Sequence, residues 1–235
     1  RDAATAMARG VQRAAPEAHV QVCPLADGGE GSLDALIAAT GAERRQLNVQ
    51  DALGRPRQAA WGWLSDQRTA FIELAEASGL QHLAADERNA LHTSTFGVGE
   101  LLLAALDRGA EKALLLLGGS ATNDGGAGML QALGARFLDQ HGEPLPSGGA
   151  ALNQLASLEL DGLDPRLAKF TLEAAVDVDN PLLGERGASA VFGPQKGASP
   201  EEVEQLDRAL GHFADISAHA LGDDYRTLPG AGAAG

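Results

Sequence analysis

The residues best suited to chemistry sit in glycine-rich stretches at the ends of apolar runs. Gly118, Gly119, Ser120, Thr122, Asn123, Asp124 and Gly125 follow the apolar run at 113–117 and precede a helix-like segment at 127–133. A strand–loop–helix junction aims backbone amides and the positive end of a helix dipole at one point, which suits an oxyanion. Ser120 and Thr122 add hydroxyl donors, and Asn123 or Asp124 can cap the helix. Five glycines and four polar residues take nine of the eleven positions from Gly118 to Gly128, more than a tight turn needs. The stretch is neither a Walker A loop nor a dinucleotide fingerprint.

Lys196 lies in the loop Gly193-Pro194-Gln195-Lys196-Gly197 and is one of three lysines. Lys112 and Lys169 each precede a strand-like run, as surface lysines do. In an acidic protein Lys196 is the natural counter-charge for a phosphate; the plainer alternative is a solvated loop lysine. As a loop residue it is expected to be exposed and dispensable for folding. Asp177, Asp179 and Asn180 end a strand-like run at 170–178, where α/β sheets bind ligands, although Asp-Asn-Pro is also turn chemistry. Asp27, Gly28, Gly29 and Glu30 join a strand-like run at 19–25 to a helix. Asp27, Glu30 and Asp177 are candidates to hold a divalent cation or accept a hydroxyl proton; the alternative for Asp27 is a helix cap. Ser94 and Gly97 open a further helix through hydroxyls and glycines. The six histidines show no metal-ligand spacing, and Cys23, the only cysteine, is expected in the core.

The elements that must position these residues alternate. A helix is expected at 3–15, a strand at 19–25 and a helix at 32–39 closed by Gly41. Three short strands at 44–50, 57–64 and 68–74 then form a meander, with Trp61 and Trp63 assigned to opposite faces. A helix at 96–106 carries Val98, Leu101, Leu102 and Ala105 on one face. The segment 142–167 is irregular. Ser199, Pro200 and Glu202 form a capping box with proline at the first helical position, and Val203, Leu206, Leu210 and Phe213 follow at helical spacing.

The 235 residues carry 18 basic and 32 acidic side chains, a net charge of −14. That field repels nucleic acid and anionic membrane, so neither is an expected partner. The single cysteine excludes a disulfide framework and fits the cytoplasm. There are 30 glycines, where average usage of ~7% would give about 16. They cluster in the loops named above, as expected where backbone must approach something closely. The chain opens on Arg1 inside a helix-like stretch and stops in a loop-like sequence, so further segments are expected at both ends.

Taken together, these segments resemble the bacterial type 1 glycerate kinase family. The stretches that carry the resemblance are Pro24–Gly31, Thr93-Ser94 with Gly97–Glu100, Gly118–Met129, Asp177-Val178 with Asn180–Leu182, and Phe192–Ala198. The resemblance implies an α/β fold of two domains, one Rossmann- or flavodoxin-like and discontinuous, the second inserted into it. Residues 1–45 would begin the first, and 46–235 would form the inserted domain with the glycine-rich loops. It also implies ATP and Mg²⁺ as cofactors and D-glycerate as substrate, with 2-phosphoglycerate favoured over 3-phosphoglycerate and room for a homodimer. Lys196, Asp177 and Asp27 would be catalytic. Gly28, Gly29, Glu30, Ser94, Gly97, Gly118, Gly119, Ser120, Thr122, Asn123, Asp124, Gly125, Asn180, Gln195 and Gly197 would bind substrate or phosphate. Two other readings are a kinase of another small hydroxy acid and a non-catalytic sugar-acid or nucleotide binder on this scaffold.

Overall fold

The computed structural model describes residues 2–22 and 28–235. Cys23, Asp27 and the second half of the strand expected at 19–25 lie outside them. Residues 19–22 carry no regular secondary structure.

Helix α1 (Asp2–Ala14) is followed by α2 (Ser32–Thr40), which ends on Gly41 in the left-handed conformation (φ 75°). The meander is β1 (Glu43–Gln50), β2 (Pro56–Leu64) and β3 (Thr69–Glu73). Short helix α3 (Leu74–Ser78) and α4 (Phe96–Asp107) lead to β4 (Lys112–Leu116). Next come α5 (Ala127–Ala132), β5 (Arg136–Leu138), β6 (Ser157–Glu159) and β7 (Thr171–Ala175), then α6 (Ala188–Phe192) and α7 (Pro200–Leu221).

The main sheet runs β1-β2-β3-β4-β7. The meander pairs antiparallel, whereas β3–β4 and β4–β7 are parallel. The carboxyl ends of β3, β4 and β7 therefore point the same way. Strand β7 is an edge strand with most of its residues exposed, and it stops two residues short of Asp177. A small antiparallel pair of β5 and β6 lies outside the main sheet.

Burial follows the hydrophobic periods. Val98, Leu101, Leu102 and Ala105 of α4 pack with Ile72, Leu115 and the β2 tryptophans in one core. Trp61 and Trp63 share a face, correcting the sequence expectation. Positions i and i+2 of a pleated strand point the same way, and the rings meet edge to face with centroids 6.3 Å apart. A second core joins Phe137, Leu152, Ala188, Leu210 and Phe213. Helix α2 packs on the opposite sheet face through Leu33, against Phe71 and Leu116. No described helix is long and apolar enough to cross a membrane.

Candidate phosphate-binding site

The glycine loop leaves the carboxyl end of β4 and enters α5 through Gly125 and Gly126, both with positive φ. At Gly118 the reason for glycine is close approach: a Cβ there would lie 2.6 Å from the Cα of Gly29. The loop at 28–31 is thereby pressed onto the glycine loop, and Gly28 abuts the carbonyl of Ala175 at the end of β7. Glu73, at the end of β3, accepts the amides of Leu33 (2.9 Å) and Gly31 (3.3 Å) and so caps α2 from outside. Burial pushes its carboxyl above the usual range, with those two bonds opposing. Three parallel strand ends and two glycine loops meet here, where such sheets bind ligands.

Asp124 is wholly buried. It accepts the Thr95 amide (2.9 Å), the Thr95 hydroxyl (2.9 Å) and the amides of Gly126 and Gly128 (both 3.2 Å). Burial pushes its carboxyl upward while these bonds pull it down. The Thr95 hydroxyl in turn accepts the Met129 amide at 2.9 Å. Asp124 thus caps α5 and ties it to α4. Ser94 accepts the Phe96 amide at 3.2 Å and fills the space a Cβ on Gly128 would need. Gly97 lies where a Cβ would come within 1.9 Å of the Gln50 carbonyl. These contacts put Ser94 and Gly97 in helix packing.

Lys196 is 1% exposed, not a solvated loop residue. Its Nζ donates to the carbonyls of Thr122 (2.6 Å) and Ala234 (2.9 Å). Burial pushes its pKa down to about 7, with the charge of Asp124 opposing. The segment ending at Gly235 occupies other donors too. Ser120 Oγ donates to the Ala234 carbonyl (2.9 Å), and the Gly125 amide to the Gly235 carbonyl (3.1 Å). Carbonyl oxygens thus stand on three donors that could face an oxyanion. Thr122 Oγ1 and Asn123 Nδ2 are buried with no hydrogen-bond partner among the described residues.

The remaining candidates are spread around this centre. Gln195 and Asp177 are exposed. Gly197 has φ 92°, and a Cβ there would lie 2.4 Å from the Arg88 carbonyl. Asn180 donates to the Arg186 carbonyl (2.7 Å) and Asp179 pairs with Arg186 (3.0 Å), which is turn chemistry. Glu30 is exposed and leans over Gly119, whose Cβ would lie 3.2 Å from Glu30 Cγ. No group of three His, Cys, Asp or Glu side chains placed to hold a metal occurs among the described residues. Ser189 and Glu73 join this network without having been singled out by sequence, and Thr95, a hydroxyl of the helix-entering stretch 93–100, turns out to be the partner of Asp124. Each acts through a partner at least 29 residues away, and no local pattern marks such a pair.

The glycerate kinase family profile matches residues 1–235. The chain belongs to the glycerate kinase family. It is 52% identical to the glycerate kinase of Bacillus subtilis (strain 168), over 234 residues that are 100% of this chain and 61% of that protein. It is 47% identical to the glycerate 2-kinase of Escherichia coli (strain K12), again covering 100% and 61%. A crystal structure of a protein assigned as glycerate kinase 2 from Salmonella typhimurium LT2 superposes with a TM-score of 0.88 at 48% identity, covering 98% of this chain and 62% of that one. The chain spans about three-fifths of the length of these glycerate kinase relatives. The family resemblance read from the motifs and the α/β class both hold.

Proposed function

We propose that this chain carries the anion-handling part of an ATP-dependent kinase that phosphorylates D-glycerate on its 2-hydroxyl. One observation carries the reading. Two buried donors without a partner among the described residues, Thr122 Oγ1 and Asn123 Nδ2, lie in the same loop whose Thr122 carbonyl holds the buried ammonium of Lys196, beyond the carboxyl end of a parallel strand. Phosphoryl transfer is mostly positioning and charge stabilisation, and this set provides both. An oxyanion is a better acceptor for an ammonium than a carbonyl is. A phosphate oxygen would therefore replace the Ala234 carbonyl at Lys196 and the Gly235 carbonyl at the Gly125 amide. The names of the relatives at about 50% identity support glycerate as the acceptor.

Asp177 and Asp27 are the groups we assign to receive the hydroxyl proton. Asp177 is exposed two residues beyond the strand end that Gly28 touches. Glu30 and Asp177 fit Mg²⁺ as carboxylates beside phosphate, since that ion takes one or two carboxylates plus phosphate oxygens and water. Bound there, Mg²⁺ would neutralise charge on the transferring group. In this reading α2, packed on the sheet through Leu33, forms the contact between a discontinuous first domain beginning in residues 1–45 and the inserted one over 46–235.

The test is an ATP-coupled assay of the full-length protein with D-glycerate, followed by ³¹P NMR of the product. Phosphate on the 2-carbon couples to one proton and gives a doublet. A triplet would overturn the 2-hydroxyl assignment alone, and ATP turnover indifferent to D-glycerate would overturn the kinase.

A further inference from the structure

Ser189 belongs to none of the motifs named so far. It lies in the first turn of α6 and is wholly buried. Its hydroxyl donates to Asn123 Oδ1 at 3.0 Å. In this arrangement Oδ1 is turned to α6 and Nδ2 faces away from it. On that side Nδ2 is buried and has no partner among the described residues. A Cβ built on Gly235 would stand 2.8 Å from Asn123 Nδ2, 2.8 Å from the Thr122 carbonyl oxygen and 3.0 Å from Lys196 Nζ. The amide nitrogen and the ammonium therefore converge on one spot, beside the carbonyl that already accepts from that ammonium. A buried donor without an acceptor is costly and rare. One that converges with a cationic donor suits a carboxylate or phosphate oxygen.

We propose that Ser189 is a positioning residue: it holds Asn123 so that Nδ2 joins Lys196 in binding one oxygen of the anionic substrate. The inference rests on the kinase reading above for naming that anion as D-glycerate or the ATP phosphates. Rotating the amide by half a turn would present Oδ1 to Lys196, with Nδ2 donating to the Ser189 hydroxyl, and leave no donor for a ligand; an anion oxygen at the spot selects the orientation in which Ser189 donates to Oδ1.

The experiment uses the full-length protein, with calorimetric affinities for D-glycerate and for a non-hydrolysable ATP analogue read separately from turnover. Ser189→Ala removes one oxygen. It is expected to weaken one of the two ligands about tenfold, the scale of a hydrogen bond to a charged group, and to leave the other unchanged. Ser189→Ala should add nothing in an Asn123→Ala background, because it acts through that amide. Asn123→Asp, which sets an acceptor against the anion, should bind that ligand more weakly than Asn123→Ala does. Wild-type affinity for both ligands in Ser189→Ala overturns the proposal, as does an additive double variant or wild-type affinity in Asn123→Asp. A protein that binds D-glycerate but never phosphorylates it overturns the kinase reading, and Ser189 is then judged on binding alone. A wild type that binds neither ligand overturns both.

Discussion

Lys196 is held at a pKa of about 7 by burial, far below its ordinary value. The native state sheds a proton there that the unfolded chain keeps until about pH 10.5. The contribution of Lys196 to stability is therefore lowest below pH 7, where the fold must bury a charge. That contribution rises between 7 and 10.5 and is flat above. Lys196→Met, which keeps the volume without the charge, should abolish that rise, as urea midpoints at pH 6.5 and 9.5 would show. Anion binding should have the opposite slope. The affinity for an ATP analogue should weaken above pH 7 as the ammonium is lost, and the same variant should remove that dependence. In the kinase reading, kcat of Lys196→Met should also fall about 10²–10³-fold. The sequence marked this lysine by its rarity and its glycine-bounded loop. Its burial was not legible, because the carbonyls that hold it lie 74 and 38 residues away.

Among elements, legibility tracked how local the cause is. The capping box of Ser199 and Glu202, the left-handed Gly41 and the buried stripe of α4 each involve residues within a turn or two, and each formed as read. The cap of α2 did not follow that rule. Its amides are held by Glu73, 40 and 42 residues on, while the sequence offered Asp27. Glu73→Ala should cost about 1–3 kcal/mol, because it leaves a buried amide unpaired; chemical denaturation would measure it. The end of β7 was overrun by about three residues because its apolar pattern continues to Val178 past the last paired residue, Ala175. Gly97 was read as a ligand-loop glycine, yet a Cβ there would meet the Gln50 carbonyl at 1.9 Å. Gly97→Ala should destabilise by at least about 1–3 kcal/mol. Its melting temperature should fall while the KM of the molecules that remain folded stays unchanged.

The whole molecule rests on separate cores, and the site draws on both sides of that division. The sheet core supports the glycine loop through β4, while α6 and the Lys196 loop stand beside the Phe137–Phe213 core. Phe137 is 1% exposed and its ring lies 5.6 Å from that of Phe213. Phe137→Ala should cost about 3–5 kcal/mol. Hydrogen exchange should then show the amides of α6 and of 194–197 losing more protection than those of β3 and β4. Equal loss in both regions would mean that the two cores melt as one. An apolar cavity of about 730 Å³, lined by Val98, Leu115, Met129, Phe213 and Leu228, opens beside Gly125 and Gly126. The sequence disclosed the junction of strand, glycine loop and helix, and with it the family. It did not disclose that Ser189 reaches Asn123 from 66 residues away, since only the completed fold makes them neighbours.

Both tryptophans of the sequence, Trp61 and Trp63, are the buried edge-to-face pair on β2. The tryptophan fluorescence of the chain thus comes from one strand of one core. Its emission should be shifted to the blue, and two indoles this close should couple into a paired band of opposite signs in near-ultraviolet circular dichroism. The Phe137–Phe213 core makes almost no contribution to that signal. A chain whose second core has come apart would keep its tryptophan spectrum, so fluorescence alone would count as native a molecule that has already released Ser189 and Lys196.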